Sequence, residues 1–208
     1  MPRITLPDGS VRAFDAPISG ADLAASIGAG LAKAAIAVLI NGTEQDLSTL
    51  ITEDATVSIL TLKDPQGLDI ARHTLTAQLL ARAIKIRFPT AKLAIGPTIE
   101  NGFYYDIDFE ESISSDLLPT LEADMLAIAK ENNPVQRELW DAHKVRDYFV
   151  ERGETYKADI IDSAIAKGDV LPNNQLSVYR QVLPNGDFFL DLCRGPHTSR
   201  TGLIPPAF

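Results

Sequence analysis

A break at Lys63-Asp64-Pro65-Gln66-Gly67 sets the organisation of this chain. Proline fixes φ and lacks an N–H, and glycine relaxes the backbone, so the run reads as a linker. Before it lie short apolar–polar alternations. Ile4-Thr5-Leu6 and Val11–Phe14 flank Pro7-Asp8-Gly9-Ser10, a hairpin pattern. Ser19 or Gly20 can cap a helix over Ala21–Ala34, which Gly28 and Gly30 weaken or end early. Ile36–Ile40 reads as a buried strand closing on the turn dipeptide Asn41-Gly42. Leu47–Ile51 makes a short connection, and Ala55–Leu62 alternates again, with Val57, Ile59 and Leu60 expected inside. Strands, one helix and more strands in so short a span are the pattern of a β-grasp module.

After the linker the period changes. Ile70, Leu75, Leu79, Leu80, Ala83 and Ile84 form the apolar stripe of a long helix, roughly Leu68–Phe88, stopped by Pro89. A turn at Glu100-Asn101-Gly102 precedes an aromatic strand through Phe103-Tyr104-Tyr105. Helices follow over 116–132, 141–152 and 154–167, with a strand at Val135–Trp140 and a hairpin pairing 178–183 with 187–192. The expectation is an α+β chain: a β-grasp domain over 1–62, a linker over 63–67, and a second domain over 68–208 with an antiparallel sheet and helices on one face.

The composition narrows the possibilities. With 45% hydrophobic residues the chain can bury a core. A formal charge of −9 argues against broad affinity for a phosphate backbone. Arg72, Arg82, Lys85, Arg87 and Lys92 make one basic neighbourhood, read as a solvated helix face. No window approaches the roughly 18 apolar residues of a membrane span, and the N-terminus has no secretory core. A single cysteine excludes an internal disulfide, so the expected compartment is the cytoplasm.

Chemistry concentrates at Asp191-Leu192-Cys193-Arg194-Gly195-Pro196-His197, where a carboxylate, a thiol, a guanidinium and an imidazole follow a strand-like run. Loops at strand ends carry such sites because a rigid scaffold aims them. Trp140 and one of Tyr104 and Tyr105 read as core, and His143 as surface.

Three segments resemble the editing domain of bacterial threonyl-tRNA synthetases: Gly96–Asp106 (Gly-Pro-Thr-Ile-Glu-Asn-Gly-Phe-Tyr-Tyr-Asp), Arg152–Lys157 (Arg-Gly-Glu-Thr-Tyr-Lys) and Asp191–His197. Residues 1–62 look like the TGS domain that precedes it in that family. That family's class II catalytic core and anticodon-binding domain have no counterpart here, so a synthetase fragment or a free-standing relative is expected. The resemblance implies an aminoacyl-tRNA deacylase. A threonine site rejects serine weakly, since one methyl is worth only about 1–3 kcal/mol, and a second site must hydrolyse the seryl ester on threonine tRNA.

On this resemblance the catalytic candidates are His73, Lys157, Asp191, Cys193 and His197, with Tyr105, Gln78 and Arg194 binding substrate. His197 is expected to position or deprotonate water, Lys157 to stabilise developing negative charge, Asp191 to orient an imidazole or hold the substrate ammonium, and Cys193 to shape the pocket. The family's helix carries two histidines one turn apart. Here His73 is followed by Gln78, one residue too far along. In a continuous helix Thr74 and Gln78 would share that face; alternatively a bulge absorbs the extra residue and His73 keeps its direction. With Gln78 replacing an imidazole, at most three zinc ligands remain. No metal is therefore expected, and zinc at Cys193 and His197 is the disfavoured option. Expected partners are the mis-acylated 3′ end of threonine tRNA and either the rest of a synthetase or a free-standing synthetase in trans, with no membrane. The alternative function is a catalytically impaired module that binds tRNA or a protein partner.

Overall fold

The computed structural model describes residues 1–206. The chain divides into two compact units, Met1–Ala71 with Gly195–Ser199, and Arg72–Arg194 with the stretch from Arg200 onward.

The first unit is a mixed sheet with helices on it. Its elements are β1 (Arg3–Thr5), β2 (Val11–Ala13), β3 (Ile18–Ser19), α1 (Gly20–Ile27), α2 (Ala29–Ala34), β4 (Ala35–Ile40), β5 (Thr43–Asp46), β6 (Leu50–Ile51) and β7 (Ala55–Thr61). The main sheet runs β2-β1-β7-β4-β5, with β1 and β7 parallel and the other pairs antiparallel. This is the expected β-grasp arrangement. Asn41 and Gly42 both take positive φ, 49° and 81°, as a tight hairpin between β4 and β5 requires. Ile4, Leu23, Ala24, Val38 and Val57 are fully buried and close the core. Val57 and Leu60 lie inside as expected, while Ile59 is half-buried.

The expected single helix over Ala21–Ala34 is two helices, because Gly28 is extended and its N–H returns to the Ala24 carbonyl (3.1 Å). Ser19 caps α1: its hydroxyl oxygen accepts from the Asp22 N–H (3.1 Å) and its O–H donates to the Asp22 carboxylate (2.6 Å). Ser19→Ala is expected to lower unfolding stability by about 1 kcal/mol at unchanged denaturant m value, as read by urea titration.

The boundary between the units falls inside α3 (Pro65–Thr74). This helix starts at Pro65 rather than Leu68, since proline is tolerated in a first helical turn. A π-helical segment, Leu75–Leu80, and α4 (Ala81–Arg87) continue it. The Ala81 N–H reaches back five residues to the Thr76 carbonyl. The bulge of the second alternative is therefore present, but it does not carry Gln78 onto the face of His73: Gln78 is fully buried against Gln181.

Beyond it come β8 (Lys92–Leu93), β9 (Thr98–Ile99), β10 (Gly102–Phe103), β11 (Ile107–Asp108), α5 (Leu118–Glu131), β12 (Val135–Asp141), α6 (Ala142–Val150), α7 (Thr155–Lys167), β13 (Gln175–Val182) and β14 (Phe188–Leu192). The expected aromatic strand is broken, since residues 104–106 join β10 to β11 without belonging to either. Tyr105 packs into the core there and Tyr104 stays exposed. Trp140 is half-buried, its indole N–H given to Glu138 (2.8 Å), and His143 is exposed.

Strands β12-β13-β14 form an antiparallel sheet. On one face Val178 and Leu190 meet Val145 and Phe149 of α6 and Ile161 of α7. Gln181, three residues along and so on the other face, donates to the Gln78 carbonyl of the π segment (3.1 Å). Helical elements thus cover both faces rather than one. Ser177, Val178, Tyr179 and Gln181 are accordingly all buried along β13.

The basic neighbourhood is not a freely solvated face. Arg82 pairs with Glu131, Lys85 with Glu154 and Arg87 with Asp124, while Arg72 donates to the Glu100 carbonyl (3.2 Å). With Lys92 beside Asp108 (3.8 Å), four of the five cations are matched to carboxylates within the second unit, which leaves little field for a phosphate backbone.

Candidate active site

A cavity of about 760 Å³ opens in the second unit, with walls drawn from four places in the chain. The end of α3 and the π segment give His73 and Ala77, the stretch after β8 gives Ala94–Pro97, α7 gives Lys157 and Ile160, and the end of β14 gives Asp191 and Cys193. Apolar walls with a few converging polar groups are the ordinary make-up of a small-molecule site.

Lys157 and Asp191 form an ion pair in which both side chains are 4% exposed. Helix α7 presents the lysine one turn from its start, and the pairing of Asp191 with Tyr179 fixes the aspartate in the sheet. Burial works against the Lys157 charge, but the Asp191 carboxylate, with a smaller contribution from Glu154, outweighs it and lifts the lysine above its ordinary pKa. Lys157 is therefore a fixed cation near neutral pH and cannot serve as a base. Tyr105 lines the same cavity as Lys157; burial first, then the Asp191 charge, push its phenol up, so it remains neutral and able to donate.

Cys193 Sγ lies 3.2 Å from His73 Nε2. The Cys193 backbone is pinned to β13: its N–H donates to the Ser177 carbonyl (3.4 Å) and its carbonyl accepts from the Ser177 hydroxyl (2.5 Å). His73 and Ala77, one turn apart, face the cavity together. Gly96 lies directly under the Tyr105 ring, which a Cβ at that position would strike.

The structure thus brings His73, Tyr105, Lys157, Asp191 and Cys193 to one cavity, with Arg194 on its rim. Three expectations need revision. Asp191 pairs with Lys157 instead of being committed to an imidazole. Gln78 is absent from the described lining: it is fully buried, and its carboxamide oxygen accepts from Gln181 (3.4 Å). Arg194 is 82% exposed and held by Asp169 (2.5 Å), so it is a rim residue. His197 belongs to Gly195–Ser199, grouped with the first unit, where it is buried and its backbone N–H donates to Asp46 (3.0 Å). Ser177 and Glu154 were missed. A serine inside a strand carries no sequence signal, and Glu154 three residues before Lys157 reads as a surface helix pair.

These features define a class: a TGS module joined to an aminoacyl-tRNA synthetase accessory domain. Residues 2–61 match the TGS domain family, and residues 176–208 match the family described as threonyl and alanyl tRNA synthetase second additional domain. The chain as a whole is related to an N-terminal part of threonyl-tRNA synthetase. It is 49% identical over 204 residues to the threonine–tRNA ligase of Halorhodospira halophila and 47% over 204 residues to that of Alkalilimnicola ehrlichii, in each case 98% of this chain. It is 46% identical over all 208 residues to the Granulibacter bethesdensis ligase. The chain spans about 30% of the length of these curated relatives. Among the described residues no helix is long and apolar enough to cross a membrane.

Proposed function

We propose that this chain is the proofreading part of a threonyl-tRNA synthetase and hydrolyses the ester of serine mis-attached to threonine tRNA. The observation that carries the reading is the buried Lys157–Asp191 pair at the wall of an apolar cavity that also holds an imidazole and a phenol. In ester hydrolysis water adds to the carbonyl carbon, negative charge grows on the carbonyl oxygen, and the bond to the ribose oxygen breaks as that oxygen takes a proton. Lys157 stays charged and can neutralise the growing oxyanion without giving up its own proton. The Tyr105 O–H adds a donor on the same side. His73 accepts the proton of the attacking water. Cys193 is then a wall group that crowds the additional methyl of threonine, the size filter the synthetic site lacks. The partner is threonine tRNA presenting its 3′ end.

The purified chain is expected to release serine from seryl-tRNA(Thr) faster than threonine from threonyl-tRNA(Thr), measured with tRNA labelled at its 3′ terminal nucleotide. His73→Ala should slow serine release by about 10²-fold or more, the usual worth of a positioned general base. His197→Ala, in the same assay, tests the water-handling role that the family resemblance implies for that residue; serine release equal to the parent's removes that role. If neither ester is cleaved while the tRNA still binds, the chain is instead a binding module. That second reading is favoured by Ala77, which faces the cavity one turn from His73 and offers no group that can take a proton.

A further inference from the structure

Glu154 is 4% exposed, a rare setting for a carboxylate, and both of its oxygens are engaged. Oε2 accepts from the Leu93 N–H of β8 (2.9 Å), and Oε1 pairs with Lys85 of α4 (2.6 Å). Lys85 also donates to the carbonyls of Pro89 (2.7 Å) and Ala91 (2.8 Å), closing the loop from α4 into β8. One carboxylate therefore ties three elements together. Leu93 is followed directly by Ala94–Pro97, a wall of the main cavity, and Ala94 and Ile95 share backbone hydrogen bonds with Asp106, next to Tyr105. Glu154 itself is the residue from which α7 starts, and Lys157 lies one turn on. Glu154, Lys85 and Lys157 also line a second, smaller cavity of about 280 Å³.

We propose that Glu154 is a positioning residue for this site: it locks the start of α7, and with it the Lys157 ammonium one turn on, to the cavity wall. Its effect on rate rests on the hydrolytic reading above; its effect on Lys157 does not. Two cations, Lys85 and Lys157, face two carboxylates, Glu154 and Asp191, around the neutral Tyr105 phenol. Removing the Glu154 charge leaves the half-buried Lys85 without its carboxylate and Asp191 as the one carboxylate paired with Lys157. The Glu154 charge also helps to raise the pKa of both Lys157 and Tyr105.

Glu154→Gln keeps one of the two ties, because the amide oxygen still accepts from the Leu93 N–H, and removes the charge together with the Lys85 pair. Two readouts on the full 208-residue chain decide. In steady-state deacylation of seryl-tRNA(Thr), kcat is expected to fall about tenfold with KM nearly unchanged, since a displaced ammonium weakens transition-state rather than ground-state contacts. In ¹H–¹⁵N spectra of lysine ammonium groups, the Lys157 signal, identified by its loss in Lys157→Met, is expected to shift and to exchange faster with water. An unchanged Lys157 signal in folded Glu154→Gln overturns the proposal. If the parent chain shows no deacylation, the hydrolytic reading fails on its own, and the ammonium signal still decides the role of Glu154. Should Glu154→Gln not fold, Lys85→Gln/Glu154→Gln removes both charges of the pair; a Lys157 signal identical to the parent's there equally overturns the proposal, and a shifted one supports it.

Discussion

Lys157→Met is expected to abolish serine release and to destabilise the protein by about 3–5 kcal/mol. The stability loss follows from what remains: Asp191, buried in the sheet, loses its counter-charge, and an uncompensated buried carboxylate is far costlier than a missing surface pair. The loss of rate follows from chemistry, because removing a fixed cation from a developing oxyanion typically costs 10²–10³-fold or more. A second substitution separates the two effects. Lys157→Met/Asp191→Leu removes both charges and should recover much of the stability while leaving activity absent. Calorimetry and deacylation on the same samples check this; equal recovery of both would contradict the catalytic assignment. The pH dependence has a definite sign. The folded-state pKa of Lys157 is raised, so its contribution is complete below the ordinary lysine value and is lost only as pH rises through the folded value. The stability gap between parent and Lys157→Met should therefore narrow on the strongly alkaline side.

Gly96→Ala is expected to cost about 1–3 kcal/mol and to impair the site well beyond that loss. An added Cβ would strike the Tyr105 ring and press within 2.8 Å of Thr76 Cγ2. The ring cannot yield freely, because it packs into the cluster of Ala81, Ile84, Ala91, Leu93 and Leu121. Relief must come from a shift of Tyr105, which moves its phenol within the cavity it shares with Lys157. A seryl-tRNA deacylation rate equal to the parent's, with intact folding, would show that Tyr105 is not held in place by Gly96.

Much of this architecture follows from local physics already visible in the chain. The β-grasp unit was legible because its hairpins carry their own turn chemistry, at Asn41-Gly42 above all, and because Ile36–Ile40 has the unbroken apolar run of a central strand. The π segment was foreseeable only as one of two alternatives, and the outcome matches neither in full: the backbone bulges and His73 faces the cavity, but Ala77 rather than Gln78 stands beside it. Burial on both faces of β13 was hidden by its polar residues. Ser177 and Gln181 look solvent-facing in sequence and are buried because each finds a hydrogen-bond partner across the fold.

The sequence by itself determined the two-part organisation, the α+β class, and which side chains carry chemistry at the Arg152–Lys157 and Asp191–His197 segments. Tertiary structure alone decided how they are used. It gave Asp191 to Lys157, turned Gln78 to Gln181, left Arg194 on the rim and buried Glu154 between Lys85 and Leu93. Charge pairing in a low-dielectric interior depends on which groups meet after folding, and residues 34 positions apart, like Lys157 and Asp191, carry no local sign that they will.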